Sequence, residues 1–181
     1  MARLPLNSHL EIAAHNHPDP VVARAGFPLD HPYLERCWAP ALGPSSVLLL
    51  RRLPELWRQQ APAEVDVDAF ARSLGLGAAR GANSRFSKTL ERVVDARFAE
   101  WAVPGETLAV YAEVRPLGER ALDRVPTSTR EAHHRLLSEH LDRLAQPQPP
   151  PETSAVVADI TARLDRLQQP RPGGGDRSGI A

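Results

Sequence analysis

The chain has one cysteine, Cys37, and one lysine, Lys88, among its 181 residues. A lone thiol excludes an internal disulfide and suits a reducing compartment. The only histidine near Cys37 in sequence is His31, so a buried, inert thiol is expected there rather than a nucleophile. Scarce lysine beside abundant arginine, alanine and proline reads as the codon usage of a GC-rich genome, and it confers no special status on Lys88. No apolar run reaches the roughly 18 residues of a membrane span, and Met1 to Leu6 lacks the apolar core of a signal peptide. A cytoplasmic location with no membrane partner is therefore expected. Net charge is missing too: 22 basic side chains balance 22 acidic ones, so attraction for any polyanion must come from local arrangement.

Catalytic constellations are equally scarce. There is no glycine-rich phosphate loop, no convincing acid pair and no nucleophile beside a base. His15-Asn16-His17, with His31 and Cys37 downstream, matches no zinc spacing, and among His133, His134 and His140 no two stand four apart on their helix. All are expected to be surface histidines. No enzymatic activity, metal or cofactor is predicted.

The 42% hydrophobic and 24% charged residues suit one compact domain with flanking elements. Residues 1–29, broken by Pro18, Pro20 and Pro28, predict an irregular arm with at most one helical turn near His9 to His15. Asp30 is placed to cap a short helix bearing Tyr33, Leu34, Cys37 and Trp38, and Ser45 or Ser46 to cap a longer one bearing Leu49, Leu50, Leu53 and Trp57. Pro54 should kink or split that helix. Ser128-Thr129-Arg130-Glu131 forms a capping box for a helix to about Ala145, with Ala132, Leu136, Leu137, Leu141 and Leu144 as its buried stripe. Residues 146–152 read as a proline-rich linker. Residues 153–169 read as an amphipathic helix whose Val157, Ile160, Leu164 and Leu167 seam predicts a homodimer contact, and 170–181 as a disordered tail.

Val65 to Val114 organises the rest. A β-type run, Val65-Asp66-Val67, leads into a helix capped by Asp66 and closed by Gly75. After the small-residue turn 77–83 comes a helix from Ser84 to about Glu100, whose Phe86, Leu90, Val93, Val94 and Phe98 fall three and four apart. Two β-rich runs joined by Pro104-Gly105-Glu106 follow. The segment Val67-Asp68-Ala69-Phe70-Ala71-Arg72-Ser73-Leu74-Gly75-Leu76 resembles the helix-turn opening of bacterial winged-helix regulators. The resemblance, extended over about 46–114, implies a mainly α fold with a small β-hairpin, a winged helix-turn-helix core with flanking helices over 30–145. The 77–83 turn is longer than that family's usual three or four residues.

The same resemblance implies that the Ser84 helix is the recognition helix and that double-stranded DNA is the partner. Its site residues would be Arg85, Lys88 and Thr89 on bases or phosphates, Asn83 and Ser84 beside them, Arg80 on the backbone, and Arg92 and Arg115 as further basic contacts. The role implied is a transcriptional regulator or a plasmid or phage accessory factor. The alternative is a winged-helix protein-interaction module without DNA binding, which balanced charge, Glu91, Asp95 and the acidic turn residue Glu106 favour.

Overall fold

The computed structural model describes residues 6–79, 81 and 83–146. The chain divides into two compact units, 1–143 and 144–181, and of the second only 144–146 are described. The expected linker beyond Gln146, the helix at 153–169 and the tail therefore lie outside the described residues.

A four-stranded sheet, β1 (His9–His15), β3 (Ala63–Asp66), β4 (Ala99–Val103) and β5 (Thr107–Tyr111), runs in the order β3-β1-β5-β4. The inner strand β1 is antiparallel to β3, with Leu10 opposite Val65, and parallel to β5, with Ile12 opposite Leu108. Leu10 and Ile12 are fully buried while His9 and Glu11 are exposed, which is the two-residue period of a strand covered on one face. The irregular arm expected over 1–29 is thus replaced by β1, α1 (Pro20–Ala25) and β2 (Phe27–Pro28), the last paired with β6 (Glu113–Val114) in a second sheet. Two alternating apolar residues are too brief a signal to announce a strand. The protein is accordingly mixed α and β, with more sheet than one hairpin.

The helix expected after Asp30 is a π-helical turn, Leu34–Trp38, with no side-chain cap, and it runs into α2 (Ala39–Leu42). Next, α3 (Pro44–Gln59) starts behind Gly43, which takes a positive φ of 78°. Neither Ser45 nor Ser46 caps it, and Ser46 is fully buried. Pro54 does not split α3, which is continuous from Pro44 to Gln59. Leu49, Leu50 and Leu53 enter the core, and the Trp57 indole N–H donates to the Ile12 carbonyl at 2.9 Å, tying α3 to β1.

Asp66 accepts from the Ala69 N–H at 2.7 Å and so caps α4 (Val67–Ser73). Gly75 follows in the left-handed conformation (φ 71°), where a side chain would be strained. The recognition-helix candidate is α5 (Arg85–Asp95), which stops short of the expected Glu100. Arg97 adopts φ 61° and the Phe98 N–H returns to the Val93 carbonyl at 3.0 Å, so Glu100 falls in β4. Leu50, Leu53, Leu74 and Leu90 share one core, with Trp57, Val94 and Trp101 packed against it half-buried.

After the short α6 (Glu119–Leu122) comes α7 (Thr127–Ala145), and its buried face is only partly the expected one, Leu136 being buried and Ala132 and Leu137 half-buried against the core. Thr129, His133, Leu136 and His140 are buried, while Leu141 and Leu144 are exposed. His133 and His140 are thus core residues rather than surface ones. Tyr33 and Ala25 supply a hydrogen-bonding partner to one ring nitrogen of each.

Candidate nucleic-acid interface

The N-terminal turn of α5 is built by Ser84. Its Oγ accepts the Ser87 N–H at 3.0 Å and bonds the Ser87 hydroxyl at 2.8 Å, while the Ser87 hydroxyl reaches the Gly81 carbonyl at 3.3 Å. Behind it, Asp68 accepts the Ala79 N–H at 2.8 Å and holds the preceding loop against α4. The loop and helix start are therefore pinned at both ends. Ser84 spends its hydroxyl on this cap and has little left for a ligand.

Arg85 and Lys88 project from this turn one helical turn apart, both exposed, and neither makes an ion pair with a described residue. No acid lies in the first turn of α5. The helix N-terminus adds its own partial positive charge there. Asn83, immediately before the cap, is also exposed. These three residues come together at one end of α5.

The other expected contacts do not join them. Thr89 is buried and its hydroxyl donates to the Arg85 carbonyl at 2.8 Å, so it offers nothing to a ligand. Arg92 turns away and donates to the Leu42 carbonyl at 3.3 Å, satisfying the C-terminal end of α2. Arg115 lies over the Trp38 ring at 5.8 Å, and its carbonyl accepts the Trp38 indole N–H at 3.0 Å. Trp38 packs edge-on against Phe98, beyond the opposite end of α5, so Arg115 is remote from Arg85. Arg80 lies outside the described residues.

No family model, curated protein or solved structure matches the chain.

The hairpin between β4 and β5 does not stand clear of the body. The Asn7 amide donates to the Glu106 carboxylate at 3.2 Å, the Asn7 N–H to the Gly105 carbonyl at 3.2 Å and the Glu11 N–H to the Glu106 carbonyl at 2.9 Å. Glu11, Glu64 and Glu106 line the hollow beside it, a surface that repels phosphate.

Other chemistry finds little support. Cys37 is fully buried, and burial pushes its thiol up to about 11 against the lowering hydrogen bond from Tyr33, so it is a protonated core residue at neutral pH. Among the described residues no group of three histidine, cysteine or acidic side chains could hold a metal, and no helix is long and apolar enough to cross a membrane. What the sequence reasoning missed is a cluster of rings between α7 and residues 27–33. Nothing in the spacing of His133 and His140 marks Tyr33 and Phe27 as their partners.

Proposed function

We propose that the chain is a DNA-binding protein of winged-helix type, acting as a transcriptional regulator or an accessory factor on a plasmid, phage or chromosome. The order α3, β3, α4, α5 and the β4-β5 hairpin supports this reading, although β1 stands between β3 and β5 in the sheet. The observation that carries it is the exposed Arg85 and Lys88 pair on the acid-free first turn of α5, where cation, helix dipole and amides all favour phosphate. With Thr89 buried and Arg92 engaged elsewhere, this surface has few side chains for base edges, so the contact is chiefly to the duplex backbone.

The test is a gel shift on mixed duplex DNA at rising salt, with the parent and the Arg85→Ala, Lys88→Ala double variant. Both should be folded, because neither residue is buried. The parent should bind with a steep salt dependence, and the variant should bind all sequences more weakly with a salt slope lower by about 2, one per lost phosphate contact. A folded variant that binds as the parent does, or a parent that binds nothing at low salt, overturns the reading. One observation favours a second reading in that case: the hairpin turn is tied to Asn7 and bordered by three glutamates, as suits a face that meets protein rather than DNA.

A further inference from the structure

Trp38 and the chain from Arg115 to Ala121 wall an open hollow of about 500 Å³, a size that suits a small molecule. Its surface is mainly apolar, from Trp38, Pro116 and Ala121, with Arg115 and Arg120 as cations and Glu119 as the one acid. Its side at Gly118 is unobstructed, since a side-chain carbon added there would meet nothing within 4 Å.

The walls are held in place without a ligand. The Trp38 indole N–H donates to the Arg115 carbonyl at 3.0 Å, which clamps the π-helical turn to the chain leaving β6. Two residues on, the Leu117 N–H donates to the buried Tyr33 hydroxyl at 2.8 Å, and the Leu117 side chain is itself buried. The Gly118 carbonyl then accepts the N–H groups of Ala121 at 2.9 Å and Leu122 at 3.1 Å, which fixes α6 at the end of the same segment. Trp38 is only 6% exposed and packs edge-on against Phe98 at 4.9 Å, so its ring is braced from the core. A ligand entering here orders little of the protein and loses little affinity in doing so.

The charges narrow what the hollow can take. The Arg115 guanidinium lies over the Trp38 ring at 5.8 Å, a contact that restrains its planar fork of donors. Neither Arg115 nor Arg120 makes an ion pair with another described residue. Two cations against one acid favour an anion, and a guanidinium fork matches the two oxygens of a carboxylate. The apolar walls beside them call for a flat apolar body on the same molecule, which a bare phosphate or acetate lacks. Duplex DNA held at the start of α5 leaves this hollow free, because Trp38 and Arg115 lie beyond the other end of that helix.

We propose that the hollow binds a small aromatic carboxylate, with its ring against Pro116, Ala121 and the uncovered part of Trp38 and its carboxylate on Arg115 and Arg120. This site stands independently of the DNA contact at Arg85 and Lys88.

The experiment is an NMR titration of the full chain with naphthoate, followed through the indole and backbone N–H signals. Two comparison probes separate the parts of the ligand: naphthalenemethanol has the ring without the charge, and acetate the charge without the ring. The Trp38 indole signal and the amides of 117–121 should move saturably with naphthoate, with a dissociation constant of about 1 mM or below for a ligand of this size. The Trp57 and Trp101 indoles should stay where they are. Naphthalenemethanol and acetate should each bind about tenfold more weakly or worse, and Arg115→Gln and Arg120→Gln should each weaken naphthoate about tenfold, as the loss of a charge-assisted hydrogen bond does. Both arginines are exposed, so both variants should fold. If Arg115→Gln displaces the Trp38 signal before any ligand is added, Arg120→Gln decides alone. The proposal is overturned by an absence of saturable movement at 117–121, by either comparison probe binding as tightly as naphthoate, or by Arg120→Gln binding as the parent does. Equal movement of all three indoles would mark adsorption to apolar surface at large and would overturn it too.

Discussion

Lys88 and Thr89 adjoin in sequence, yet one is exposed and the other buried, because a 100° step around α5 carries a side chain from its outer stripe to its packed face. A polar residue can occupy that inner face only with a partner, and Thr89 uses the Arg85 carbonyl. Tyr33 makes the same point more strongly, since its single buried hydroxyl accepts the Leu117 N–H and shares a hydrogen bond with Nδ1 of His133. Changing Tyr33 to Phe keeps the stack on Phe27 but leaves a backbone N–H and a ring nitrogen without their partner. The expected loss is about 1–3 kcal/mol for a buried group left unsatisfied. Urea unfolding should show it as a lower midpoint with an unchanged slope. An unmoved midpoint would mean that the hydroxyl is not bonded as described.

At the scale of the element, a helix start is more legible than a helix end or a helix face. Ser84 at the cap and Phe86, Leu90 and Val93 on one side locate the beginning and the inner face of α5, and the structure has them there. Its end is hidden because Arg97 takes the left-handed conformation that glycine would have advertised. In α7 the leucines mislead in part: of the stripe drawn through Ala132, Leu136, Leu137, Leu141 and Leu144, Leu136 is buried and Ala132 and Leu137 are half-buried, but Leu141 and Leu144 are exposed and Thr129, His133 and His140 complete the inner face. Hydropathy ranks leucine above histidine, but the rings and acceptors of residues 25–33 decide which face docks, and these are distant in sequence. For α5 the legible face can be tested directly. Truncating Leu90, which is 1% exposed, to alanine should cost about 2–5 kcal/mol, read as a fall in thermal midpoint. A melt that does not shift would place Leu90 outside the core.

At the scale of the whole molecule, β1 decides what kind of body this is. A hairpin-bearing helical core read from 46–114 alone would pair β3 with the hairpin directly, but β1 stands between them and bonds to both. Such pairing is invisible locally, since partners as far apart as Ile12 and Leu108 are joined by register rather than by any nearby motif. The same insertion restrains the candidate site: residues 7–11 hold the hairpin turn, leaving the start of α5 as the exposed basic end. It also follows that the 46–114 segment is not a self-sufficient domain. A chain lacking residues 1–15 loses the buried Leu10 and Ile12, the carbonyl that receives the Trp57 indole, and the strand that pairs both neighbours. Two strands would then present unpaired backbone where the sheet is now continuous, a state that favours aggregation. This shortened chain should show no cooperative thermal transition and no fixed aromatic near-ultraviolet circular dichroism. A cooperative melt near the parent's midpoint would show that β1 is an accessory to the sheet and not its centre.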